Sequence, residues 1–186
     1  MKIKKYFFLI IYRAFARYLP GSQFRFGGKL FKIFRAYCCK HIFLKCGKNV
    51  NIEHGAFFGR GFNIELGDNS GIGYSCVVPD NIIIGNDVMM GPNCYILGRN
   101  HEINRTDIPM WKQGFIIKNT IIEDDVWIGR EVIFTPGRIV KKGSVIGAGC
   151  VLTKDFPEYS IIGGNPSCLI KSRLKINENN ITTHTE

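Results

Sequence analysis

One histidine in this 186-residue chain stands where imidazole chemistry would be most useful. His101 follows Asn100 in a stretch, Leu97 to Ile121, that interrupts an otherwise regular pattern. Imidazole titrates near neutrality, so it can take a proton from a hydroxyl as that oxygen attacks an electrophile. A carboxylate could orient the ring, and Glu102, Asp107 and Glu123 are available in the sequence without anything to choose among them. His41 and His54 lie outside the interruption and read as structural, while His184 sits in the tail. Cysteine is the rival nucleophile. Cys76, Cys94 and Cys150, however, share one place of a repeating unit with Ser70, Val88 and Ser144, which marks them as small buried side chains. No Cys/His spacing of the metal-binding kind occurs, so no metal is expected.

The elements that must hold His101 follow from a period of six. Leu66, Ile72, Val78, Ile84, Met90 and Ile96 form one run, and Ile122, Ile128, Phe134, Val140, Ile146 and Leu152 a second. Six fits neither an amphipathic helix nor a simple alternating strand. It is the mark of a parallel β-helix of hexapeptide units, with three units to each triangular coil. Coils stack by parallel ladders, each burying the face its neighbour exposes. Ile52, Phe58 and Ile64 form an earlier run that shifts phase by two before Leu66 and supplies the first partial coil. Cys76 and Cys94 should then lie one above the other, roughly 4.8 Å apart along the stack. Gly163-Gly164-Asn165-Pro166 is a strong turn signal near the end of the prism. The expected organisation is an appendage over 1–47, a β-helix over 48–173 with an extruded loop over 97–121, and a polar tail over 174–186.

Charge separates the appendage from the prism. The formal charge is +10, yet residues 1–52 hold 12 Lys/Arg and no acid before Glu53. Two basic, aromatic-rich helices are expected, about 3–18 and 28–45, broken at Pro20-Gly21 and Gly27-Gly28. The apolar stretch Tyr6 to Tyr12 is far shorter than the roughly 20 residues that span a bilayer. A secretory signal is disfavoured because Arg13 and Arg17 interrupt it and no convincing cleavage site follows. Such helices can lie in the membrane interface through residues 1–45, or cap the open end of the solenoid, or do both. Nucleic acid is not an expected partner, since no recognised motif accompanies the basic patch. Seven cysteines, an odd number, suit a reducing compartment, and the expected location is cytoplasmic, peripheral on the inner face of the cytoplasmic membrane.

Three motifs in order carry a resemblance: Ile122-Glu-Asp-Asp-Val-Trp-Ile-Gly129, Val145-Ile-Gly-Ala-Gly-Cys-Val-Leu-Thr-Lys-Asp155 and Gly164-Asn-Pro166. Over about residues 48–173 the chain resembles the hexapeptide-repeat acyltransferases, in the branch of maltose, galactoside and capsular or O-antigen polysaccharide O-acetyltransferases. The resemblance implies an all-β, left-handed parallel β-helix, a homotrimer, and acetyl-CoA held in clefts between neighbouring prisms. It implies His101 as general base for direct attack of a hydroxyl on the thioester. Carried over position by position, it implies a CoA site of Trp127, Arg130, Ala148, Thr153, Lys154, Lys171 and Arg173. Asp80, Asn100, Arg105 and Asp107 fall on the acceptor side. Two departures stand out. Cys168 occupies a place where relatives carry an arginine, and their acceptor-binding asparagine aligns poorly, near Gly71 to Gly73. The expected function is acetyl transfer to a sugar hydroxyl of a surface polysaccharide or its lipid-linked precursor. Alternatives are a small soluble acceptor (a free sugar, serine or an antibiotic) and a non-catalytic scaffold. A zinc-dependent prism resembling γ-type carbonic anhydrase needs three histidines, and only His101 is suitably placed.

Overall fold

The computed structural model describes residues 2–174, so the expected polar tail beyond 174 lies outside the described residues. Two-residue strands stack into the three faces of a left-handed parallel β-helix. The first face stacks Lys45–Cys46, Glu65–Leu66, Ile83–Ile84, Ile121–Ile122 and Ile139–Val140. In Ile121–Ile122 and Ile133–Phe134 the second residue is buried and the first faces outward, as the period of six requires. The apolar places of both runs line one continuous core, with Met90 only partly covered.

Register shows where the coil departs from regularity. Partners lie 20 residues apart in the first coil (Lys45 with Glu65) and 18 in the next (Glu65 with Ile83). Across the interruption they lie 38 apart (Ile83 with Ile121), then 18 again (Ile121 with Ile139), and finally 16 (Val145 with Ile161). Phe57 still pairs at 20 with Val77, so the two extra residues of the first coil fall between Phe57 and Glu65. Val151 pairs at 18 with Ile133 whereas Phe156 pairs at 16 with Val140, so the shortening falls between Val151 and Phe156. All three departures, the long loop included, occur where the third face turns into the first.

The other two vertices are uniform. Asn49, Asn69, Asp87 and Asp125 sit in a column with left-handed backbone, φ between 52° and 57°, followed by Gly143 and Tyr159. Asn and Asp tolerate this conformation better than other residues carrying a Cβ. From Asn69 onward each bonds to the coil before it, as in Asn69 N to Lys48 O, 2.9 Å, and Asp87 N to Asp68 O, 2.9 Å. Small residues permit the coil-to-coil approach beside them: a Cβ on Gly91 would lie 2.7 Å from the backbone N of Arg130.

The appendage forms helix α1 (Lys2–Ala14), a 3-10 turn (Ala16–Tyr18) and helix α2 (Gly28–Ile42). α2 stops three residues short of the expected 45, because Lys45–Cys46 pairs with Glu65–Leu66 as the first rung of the prism. An open first coil presents carbonyls with no coil beneath them, and the helices answer with donors. Tyr12 Oη donates to Ala56 O at 2.9 Å, Arg13 Nη2 to Gly59 O at 2.8 Å, and Arg17 Nε to Gly55 O at 3.1 Å. Arg35, fully buried, donates to the carbonyls of Leu19, Pro20 and Ile52 and lies 3.6 Å from Glu53. The capping role expected of these helices is therefore present. No helix among the described residues is long and apolar enough to cross a membrane.

Candidate functional site

The irregular vertex carries His101. Leaving Ile96, the chain forms strand Arg99–His101, which pairs antiparallel with Phe115–Ile117 so that His101 faces Phe115. The two rings lie 4.2 Å apart at 44°, and the Arg99 guanidinium stands 4.5 Å from the same phenyl ring. Gln113 clasps the loop by donating to Arg105 O (2.8 Å) and Ile108 O (3.1 Å) and accepting from Arg105 N (3.0 Å). Three bonds from one amide hold the turn without a packed core beneath it, leaving Ile103, Met110 and Trp111 exposed.

Two cavities flank this loop. One, about 310 Å³, has His101 on its wall with Asn100, Lys118, Thr135 and Arg138, and no carboxylate lines it. The other, about 720 Å³, lies on the opposite side and is lined by Asp80, Asn81, Arg60, Arg99 and Tyr95. The four acceptor-side residues are thus not brought together in one chain. Asn100 shares the histidine's cleft, and Asp80 faces the other cavity, 3.7 Å from Arg60. Arg105 and Asp107 pair with each other at the exposed loop, the guanidinium holding the Asp107 carboxyl below its usual range. Glu123 accepts from Lys141 Nζ and Lys142 N, both at 2.9 Å, at a different vertex. Within the chain, then, Asp107 and Glu123 are both engaged away from the imidazole.

The CoA candidates spread over the prism. Trp127 is exposed on the second face between Met89 and Val145. Arg130 and Ala148 share one vertex, where Arg130 pairs with Glu131 at 3.4 Å and the Ala148 backbone packs against Gly129. Thr153 and Lys154 occupy the irregular vertex. Thr153 bonds Ser167 through both its N–H (3.0 Å) and its hydroxyl (3.2 Å), and Lys154 Nζ lies over the Phe156 ring. Lys171 belongs to the terminal strand Cys168–Ser172, which folds back antiparallel after the Gly163–Pro166 turn. Arg173 lies 3.5 Å from Asp125 and donates to Gly143 O. Cys168 is exposed, its thiol 3.3 Å from Gly163 O.

Two residues escaped the sequence reading. Arg138 lines the His101 cleft and donates Nη1 to Thr153 O at 2.9 Å, with Asp155 at 3.4 Å, while its buried Nε has no partner. It thereby joins the histidine's cleft to the Thr153–Lys154 corner. The signal was present: Arg138 fills the place that holds Ser70, Cys76, Val88, Thr120 and Ser144 in other units, and no other unit puts a charge there. Lys118 crosses Gly137, where φ is 75° and an added Cβ would meet the lysine's own Cβ at 2.6 Å. As for cysteine chemistry, the three repeat thiols are buried, and burial pushes the Cys150 thiol up. No group of three or more His, Cys, Asp or Glu side chains suited to a metal ion occurs among the described residues.

Residues 119–154 match the family described as bacterial transferase hexapeptide (six repeats). The crystal structure of a maltose O-acetyltransferase from Clostridium difficile 630 superposes with a TM-score of 0.74 at 30% identity, covering 92% of this chain and 87% of that one. A hexapeptide-repeat acetyltransferase from Vibrio cholerae, solved with acetyl-CoA, superposes with a TM-score of 0.69 at 26% identity over 83% of this chain and 81% of that one. The galactoside O-acetyltransferase of Lactococcus lactis is 39% identical over 100 residues, 53% of this chain. That match spans 45% of the Lactococcus protein, less than half its length.

Proposed function

This chain belongs to the hexapeptide-repeat transferase family, and from that membership we propose that it moves an acetyl group from acetyl-CoA to a sugar hydroxyl. The observation that carries the reading is His101 standing in an electropositive cleft at the one vertex where the coil is broken. His101 Nε2 or Nδ1 takes the acceptor proton as its oxygen attacks the thioester carbonyl. The thioester is already activated, so direct attack within a ternary complex needs no enzyme-bound acyl group. Lys118 and Arg138 bring positive charge to the cleft where the tetrahedral oxyanion develops. Trp127, Arg130, Ala148, Thr153, Lys154, Lys171 and Arg173 are assigned to CoA, the cations to its phosphates and the backbone near Ala148 to pantetheine. Their spread over separate vertices supports a homotrimer, in which a neighbouring prism would complete the cleft and cover the exposed Trp111 and Met110. Asn100 and Asp80 are assigned to the acceptor, with the Arg105–Asp107 pair at its rim.

The acceptor in this reading is a surface polysaccharide or its lipid-linked precursor, which would hold the enzyme at the inner face of the cytoplasmic membrane. A soluble small acceptor is the second reading, favoured by the modest cleft of about 310 Å³. Release of CoA thiol from acetyl-CoA, followed across lipid-linked sugars, oligosaccharides and free sugars, separates the two. Turnover with a glycan and none with free sugars supports the first. Turnover confined to free sugars supports the second, and no turnover of or binding to acetyl-CoA defeats both.

A further inference from the structure

A helix lying on a protein normally buries its apolar stripe and shows a polar face to water. The terminal helices do the first and not the second. In α1, Leu9 and Tyr12 face the prism, yet Ile3, Phe7 and Ile10 form an outward stripe at i, i+4 and i+7, exposed by 87%, 59% and 66%. In α2, Cys38, Cys39 and Ile42 are buried while Leu30, Ile33 and Tyr37 point out. Phe8 meets Tyr37 at 5.6 Å and Phe15 meets Phe34 at 6.2 Å, so the helices run antiparallel, and Phe8, 5.4 Å from Phe7, links Phe7 of one stripe to Tyr37 of the other. The result is one apolar surface on the outside of the cap.

Its rim is basic. Of the 12 Lys/Arg in residues 1–52, Lys5, Arg13, Arg17 and Arg35 are committed to prism carbonyls. Lys2, Lys4, Lys29 and Lys40 are exposed and make no hydrogen bond or ion pair among the described residues. A groove of about 700 Å³ runs between α2 and the first coil, with Lys32, Lys40 and Lys48 beside Ile33 and Tyr37. Asp68, its one carboxylate, already accepts from Lys48 N at 2.7 Å. At the same seam His41 stacks on Phe8, and partial burial together with Lys4 and Lys40 pulls its pKa down, as an uncompensated positive field would.

We propose that this face docks on a membrane of anionic lipids, with Ile3, Phe7, Ile10, Leu30 and Ile33 entering the acyl boundary and the unpaired lysines meeting headgroup phosphates. Charge complementarity selects the occupant. A second copy joined through the same face would bring two acid-free, +12 segments together, which repel. The proposal stands apart from acetyl transfer and can hold or fall without it.

Sedimentation of the full chain with vesicles tests it, using phosphatidylcholine alone and with about a quarter phosphatidylglycerol. Binding to the anionic vesicles only, weakened by salt, is expected. Ile3→Ser with Ile10→Ser should lower partitioning about tenfold. Lys2→Gln with Lys4→Gln should lower it roughly 30-fold at low salt. The lysine pair is exposed and makes no hydrogen bond or ion pair among the described residues, so it keeps the test decisive should the isoleucine pair disturb the cap. Equal binding to neutral vesicles, absence of binding, or indifference to both pairs overturns the proposal. So does a fall in sedimentation coefficient of the lipid-free Ile3→Ser/Ile10→Ser protein, which would make the face a contact between copies.

Discussion

Two kinds of vertex share one prism. At the regular ones a column of left-handed residues, mostly Asn, Asp and Gly with Ser75, Glu131 and Tyr159 among them, repeats coil after coil, each after the first coil bonded to the coil before. At the irregular one the same chain adds two residues, extrudes a loop of about twenty, then drops two, and the left-handed column is reduced to scattered glycines such as Gly59, Gly61 and Gly137. The faces on either side stay in register throughout. Ladders and inward side chains therefore bear the fold, and a vertex freed of its turn code can vary in length at little cost. The two cavities beside the loop, one of them walled by the histidine, are at the freed vertex.

The largest effect should come from the irregular vertex and leave the fold untouched. His101→Ala is expected to lower turnover of acetyl-CoA by roughly 10²–10⁴-fold, the usual worth of a general base. Its melting temperature should match the parent, because the residue is exposed and its ring packs on Phe115 in the extruded loop rather than on the prism core. Full turnover in the variant would remove His101 from the mechanism. The reverse pattern is expected of Gly91→Ala at a regular vertex. Its Cβ would meet Arg130 N and Gly129 C at 2.7 Å, backbone atoms of the next coil that have little room to shift, so denaturant titration should show a loss of about 2–4 kcal/mol. Gly114→Ala in the loop sharpens the contrast. Nothing lies within 4 Å of the added methyl, leaving only the strain of φ 97°, of order 1 kcal/mol.

That contrast also explains what the sequence reveals. Inward places such as Ile72, Ile128 and Phe134 are legible because each must be apolar whatever its coil contacts, so the period survives noise. The phase slip between Ile64 and Leu66 is legible for the same reason: it displaces the apolar place by two. The shortening near Thr153–Asp155 displaces a turn that no longer has a code, and it passed unread. Arg138 is a failure of another sort. It stands two residues before an inward place, in the position that Ser70, Cys76, Val88 and Ser144 mark as small and buried, and a pattern of small residues gives no sign of the one long side chain within it. Which side chains meet His101 is not a local property at all. Arg138 reaches its cleft across one coil of stacking, and the separation of Asp80 from Asn100 follows from the direction in which the loop leaves the prism.

A smaller pair of substitutions tests the turn code itself. Asn69 holds φ at 56°, accepts from Asn49 Nδ2 at 3.1 Å and donates to Asp87 Oδ1 at 2.9 Å. Asn69→Ala should cost about 1–2 kcal/mol in thermal or urea unfolding, most of it for left-handed backbone. Asn69→Gly should recover the greater part, because glycine keeps the conformation and loses only exposed hydrogen bonds. Asn81 bonds Asn119 across the irregular vertex but does not have positive φ. Asn81→Ala is therefore expected to fall within about 0.5 kcal/mol of the parent. Equal losses at Asn69 and Asn81 would mean that side-chain bonds, not backbone conformation, distinguish the vertices.

The smallest expected effect is one of pH. Glu123 accepts from Lys141 Nζ and from Lys142 N, and those bonds hold its carboxyl below the ordinary glutamate value. A depressed folded-state pKa means that the unfolded chain binds the proton more readily. The contribution is then fully present above about pH 4.3, the unfolded value, and is lost as pH falls through the folded one. Glu123 is partly exposed, so screening keeps the contribution to a few tenths of a kcal/mol. Glu123→Gln should lower the melting temperature slightly at pH 7 and make no difference once both forms are protonated, bringing the two curves together on the acid side. At the irregular vertex Asp107 is depressed in the same direction by Arg105, but that pair joins two residues of one exposed loop and ties no coil to another. Arg105 and Asp107 are two residues apart, so their pair persists when the coils separate and shifts the carboxyl alike in folded and unfolded chains. Asp107→Asn should therefore leave the melting curve unchanged at every pH. The pH dependence of stability then reports which vertex holds coils together, and a matching acid-side convergence for Asp107→Asn would show that the loop is coupled to the prism after all.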